Sequence, residues 1–142
     1  MQDVVQGAFR PEPRAVRAAR ALAMRALDAW GGCGRRDDVE LCVSELAGNA
    51  VRHGSPESRD YLIRLVRHPD CLHLEVRDSA ARAAVHTPAP SMSAEQGRGM
   101  HIVRQLCDSW GVRADDTGHE GKVVRTCFRR PEAAVSRCSC TP

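Results

Sequence analysis

The apolar residues of this chain keep a helical spacing through its first third and then switch to a strand-like alternation, and that switch limits the folds open to it. Over residues 12–30, Val16, Ala19, Leu22, Ala23, Ala26, Leu27 and Trp30 recur at the spacing of an amphipathic helix, which Gly31 and Gly32 stop. A second helix is predicted after Asp37 or Asp38 as N-cap, with Val39, Cys42, Val43, Leu46 and Ala50 on one face. It ends near Gly54-Ser55-Pro56. Residues 61–67 and 71–78 read as two strands joined by the turn chemistry of His68-Pro69-Asp70.

Residues 79–96 hold Ala, Pro and Ser with no usable period and predict a long loop, of the kind that is a functional lid or disordered, and so the candidate lid. Gly97-Arg98-Gly99 is then expected to stand directly before a third helix, with Met100, Val103, Leu106, Cys107 and Trp110 on its apolar face. A final hairpin is expected over 112–115 and 122–129. The order helix, helix, strand, strand, lid, helix, strand, strand predicts an α+β two-layer sandwich, with helices on one face of a mostly antiparallel sheet.

The chain has 142 residues, which suits one domain; residues 1–131 are assigned to it and 132–142 to a flexible, Cys-containing tail. Its 21 basic residues are dispersed among 18 acidic ones for a net charge of +3, so direct nucleic-acid binding is not expected. No run approaches the roughly 20 apolar residues of a membrane span, and the first residues do not read as an export signal. A cytoplasmic protein that does not engage membranes is expected. The seven cysteines are expected to be mostly buried thiols. With no Cys-x-x-Cys and no histidine pair near Cys138 and Cys140, no structural zinc site is expected.

Three features could carry chemistry. Glu45, Asn49 and His53 recur every four residues and form one polar column on the second helix. A carboxylate and a carboxamide so placed suit Mg²⁺, a hard cation that takes oxygen ligands and borrows others from phosphates. Glu45 could also accept a proton. The same spacing equally describes a solvated helix face.

Asp78 continues the even-numbered side of its strand after Leu72, Leu74 and Val76, at the end of a buried face. There it could accept a hydrogen bond from an adenine amino group, or simply cap a turn. The backbone N–H groups near Gly97 and Gly99 could bind phosphate if they open a helix, although a lone Gly-x-Gly is more often a turn.

The stretch Ser44-Glu45-Leu46-Ala47-Gly48-Asn49-Ala50-Val51-Arg52-His53-Gly54, with Val76-Arg77-Asp78 and Gln96-Gly97-Arg98-Gly99-Met100-His101-Ile102-Val103, resembles the GHKL ATPase superfamily. Within it, the motifs look most like those of the anti-sigma-factor serine/threonine kinases. Asp108-Ser109-Trp110-Gly111-Val112 and Gly121-Lys122-Val123-Val124 also resemble that subgroup.

The resemblance implies the Bergerat (histidine kinase-like ATPase) fold and ATP with Mg²⁺ as cofactors. Glu45 would be the catalytic carboxylate and Asn49 the Mg²⁺ ligand. His53, Asp78, Gly97, Arg98, Gly99, Met100 and Lys122 would line the nucleotide, with Asp78 on the adenine amino group. It implies an anti-sigma factor and kinase that phosphorylates a serine of a small anti-anti-sigma partner and alternatively sequesters a sigma factor, with a possible homodimer. Two positions depart from the superfamily pattern: Ala80 replaces a glycine, and Lys122 stands where many relatives carry threonine. Two competing readings are a nucleotide-binding module that captures a partner without turnover and, ranked last, the catalytic domain of a histidine kinase.

Overall fold

The computed structural model describes residues 3–32, 34–53, 59–78, 94–114 and 121–130, the side chains of 94–98 excepted. The segment 79–93, most of the expected lid including Ala80, and the tail 131–142 lie outside the described residues.

Among the described residues eight elements follow one another: β1 (Val4–Phe9), α1 (Pro13–Ala29), α2 (Arg36–His53), β2 (Tyr61–Arg67), β3 (Cys71–Asp78), α3 (Ala94–Leu106), β4 (Ser109–Ala114) and β5 (Lys122–Arg129). The strands form one sheet in the order β1-β2-β3-β5-β4, antiparallel at every pairing. The helices lie on one of its faces, with α2 between α1 and α3 and against β3. This is the expected two-layer α+β sandwich.

Local chemistry accounts for the elements. Pro13 opens α1, where its missing N–H costs nothing and its fixed φ suits a first turn. Gly31 and Gly32, with φ of 81° and 80°, end it as expected. In α2 the N-cap is Arg35 rather than either aspartate, since Arg35 O accepts the Val39 N–H at 3.0 Å. Asp37 and Asp38 fall in the first turn, where they still complement the helix dipole.

Three further boundaries differ from expectation. β1 is an added edge strand, held by pairing from Val4↔Val66 to Phe9↔Tyr61. β4 begins at Ser109 instead of 112, because its ladder with β5 reaches back to Ser109↔Cys127. α3 begins at Ala94, so Gly97, Arg98 and Gly99 lie inside the helix and not ahead of it.

The core lies between the layers, where Leu27, Val39, Val43 and Leu46 meet Ile63, Leu65, Leu74, Val76 and Phe128. Arg35 ties the layers together. It donates to Asp38 Oδ2 at 3.0 Å, to Asp108 Oδ2 at 2.9 Å, and to the carbonyls of Leu106 at 2.5 Å and Arg129 at 3.2 Å. Asp108 Oδ2 also accepts the Arg129 N–H at 2.7 Å, so one carboxylate joins the end of α3 to β5.

The opposite sheet face is buried at its centre, at His73, Glu75, Val123 and Cys127. Burial, with Arg125 and His68 nearby, pushes the His73 imidazole down to about 4, so it is neutral at pH 7. Cys42, Cys71 and Cys107 carry the expected free thiols, and burial raises Cys42 to about 12. Cys127 departs from that expectation: it is disulfide-bonded.

Candidate functional site

Two members of the polar column of α2, Glu45 and Asn49, face α3. Glu45 and Asn49 lie one turn apart, and Asn49 is buried at 7% exposure although its side chain is a polar amide. Gly99 of α3 backs directly onto them. A Cβ built there would stand 2.9 Å from Glu45 Oε2, 3.5 Å from Asn49 Oδ1 and 3.6 Å from Arg52 Nη2. Glycine is therefore required at this crossing for the carboxylate to keep its position.

Arg52 is a member of this cluster that the spacing argument missed. Its Nη2 donates to Asn49 Oδ1 in a short hydrogen bond. The signal was present in the sequence, since Arg52 follows Asn49 by three residues and so shares its side of the helix.

A second cluster forms where α2 ends. Asp78 and Lys122 are register partners on β3 and β5, and Lys122 Nζ lies 3.9 Å from Asp78 Oδ2 with both side chains buried. Asp78 lies on the side of β3 shared with Leu72, Leu74 and Val76, and all four are buried, as are His73 and Glu75 on the other side. His53 joins this group through space. Burial first, then Lys122 and Arg52, hold its imidazole below the usual range, while Asp78 pulls the other way.

Met100 is half-buried and packs against the core beside Gly99. Gly97 and Arg98 lie one helical turn or less from Gly99, within α3. In this arrangement the free N–H groups of α3 belong to its start near Ala94, ahead of the Gly-Arg-Gly triplet.

A family model for the histidine kinase-like ATPase domain matches residues 9–128, most of the chain. The chain belongs to this family. Among solved structures it is similar to a mycobacterial sensor histidine kinase, MprB, with a TM-score of 0.52 and 19% identity, over 68% of this chain and 72% of that one. At that identity the likeness concerns the fold, and it agrees with the three helices on a five-stranded antiparallel sheet. No curated protein matches significantly.

Histidine kinase-like ATPase domains bind ATP, typically with Mg²⁺, and the residues here suit that pair. Asn49 Oδ1 and Glu45 are oxygen donors of the type Mg²⁺ takes. Gly99 places no side chain of its own against them. Asp78 is a buried acceptor at the end of an aliphatic strand face. Among the described residues, no helix is long and apolar enough to cross a membrane.

Proposed function

We propose that this ATPase domain is an ATP-dependent serine/threonine protein kinase and anti-sigma factor. In this reading it phosphorylates a serine of a small anti-anti-sigma partner and alternatively holds a sigma factor. The observation that carries it is the juxtaposition of Glu45 and Asn49 beneath Gly99, a base and a hard-cation ligand at one helix crossing.

Bound Mg-ATP supplies the transferable phosphoryl group and the cation that offsets its charge. The chain's own residues do the rest, and for phosphoryl transfer that means positioning and charge. Asn49 would hold the cation, Asp78 the adenine amino group, and Gly97, Arg98, Gly99 and Met100 the phosphate side. Glu45 is the carboxylate placed to take the proton of an attacking serine hydroxyl.

Arg52 and a cation compete for the same Asn49 oxygen. Cation binding thus frees the guanidinium to donate to phosphate. Lys122 stands in the same relation to Asp78: the adenine amino group must share or displace it.

The test is transfer of label from γ-labelled ATP to purified anti-anti-sigma proteins. Glu45→Gln should abolish transfer and leave partner capture intact. A wild-type chain that captures such a protein with ATP present and never labels it would instead be a non-catalytic binding module.

A further inference from the structure

On the sheet face away from the helices, strand parity and register assemble three metal-ligating side chains that neither the motifs nor the nucleotide site use. Cys71 and His73 are two apart on β3 and so share a face. His73 pairs in register with Cys127 of β5, which brings the second sulfur to the same face. All three are 3% exposed, and their ligand atoms lie within 4.8 Å of one another. We propose that, with Cys127 reduced, Cys71, His73 and Cys127 form a binding site for Zn²⁺ or a similar thiophilic cation.

The spacing suits tetrahedral zinc. With Zn–S near 2.3 Å and Zn–N near 2.0 Å, two ligands of such a site stand about 3.6 Å apart. Cys71 Sγ and His73 Nε2 are 3.6 Å apart. Two thiolates and a neutral imidazole bring the ion to zero net charge, which removes most of the penalty of burying it. The three protein ligands leave a fourth position for water or a further donor.

Two features oppose the metal and give the proposal its tests. Cys127 is disulfide-bonded in this structure, so disulfide and metal are alternatives at one sulfur. A thiol or phosphine reductant must supply two electrons and two protons to that bond, and metal binding then releases the thiol protons. The second feature is Arg125, whose guanidinium donates to His73 Nδ1. Guanidinium cannot accept, so the imidazole proton sits on Nε2, towards Cys71. Ligation through Nε2 moves that proton to Nδ1, and Arg125 must turn towards Glu75, whose Oε1 is already 3.9 Å from its Nε.

Co²⁺ is the probe, titrated into the whole chain after phosphine reduction and followed by its thiolate-to-cobalt charge-transfer absorption. One equivalent should bind, with the band bleached by Zn²⁺. The band should be lost in Cys71→Ser and His73→Gln, absent from the unreduced chain, and retained in a Cys42→Ser/Cys107→Ser double variant. Arg125→Gln should tighten binding several-fold, because an amide oxygen can accept from Nδ1–H. Reduced wild-type protein without the band would overturn the proposal with no variant needed. A band that survives Cys71→Ser would also overturn it, by placing the thiolates elsewhere.

Discussion

Replacing Arg35 by alanine should loosen the whole domain although no nucleotide contact is touched. The side chain is 20% exposed and makes four hydrogen bonds, two to half-exposed carboxylates and two to backbone carbonyls, besides lying 5.6 Å over the Phe128 ring. At about 1 kcal/mol net for each such bond the gross loss is about 4 kcal/mol. Asp38 and Asp108 recover water in the variant, as partly exposed ion pairs do, which brings the net loss to about 2–3 kcal/mol. For a chain of this size that lowers Tm by about 8 °C.

Urea denaturation of wild type and Arg35→Ala, with calorimetry alongside, reads both quantities. Arg35→Lys should recover less than half of the loss, because an ammonium cannot reproduce the fork that reaches two carboxylates and two carbonyls at once. A loss below about 1 kcal/mol would refute the reasoning. It would mean that these bonds merely replace water and that α3 is held to β5 by apolar contact alone.

Two further outcomes follow from the site. Gly99→Ala should change stability little, since the atom it meets is the end of a flexible Glu45 side chain, yet it should cut phosphoryl transfer by displacing that carboxylate; equal losses in urea midpoint and activity would contradict this. Acidification should destabilise the fold partly through His53. Its folded pKa is depressed below the ordinary 6.5, chiefly by burial, so its contribution is complete above that value and is lost as pH falls below it. A His53→Gln variant with an unchanged slope of stability against pH would remove His53 from that account.

Much of this architecture was legible because each main element carries its own period. α1, α2, β2, β3 and β5 were found within a residue or two. β1 was not. Val4–Phe9 contains Gly7 and Gln6 and has little alternation of its own; it is a strand because β2 offers it an edge and because Gly7 lets Leu22 of α1 approach. The start of β4 was missed for a similar reason, since ladder pairing with Cys127 and the Asp108 link set it.

Single-element periodicity found Glu45 and Asn49 by helical spacing and Asp78 by strand parity. What it could not give was anything depending on which strands become neighbours. The Lys122–Asp78 pair and the Cys71, His73 and Cys127 group both arise from β3 lying beside β5, with α3 and β4 intervening in sequence. Arg52 was legible in principle, but as part of a motif it carried no separate chemical argument until its guanidinium was found donating to Asn49 Oδ1.

The central claim is that α2, α3 and the β3–β5 end form a Mg²⁺-dependent ATP site. Calorimetric titration of the purified chain with ATP, with and without Mg²⁺ and beside Asn49→Ala, tests it most directly. The account predicts saturable binding that requires Mg²⁺ and is lost in the variant, whose melting curve should otherwise show a folded protein. Heat of binding that is absent, or that is identical in Asn49→Ala, would contradict it.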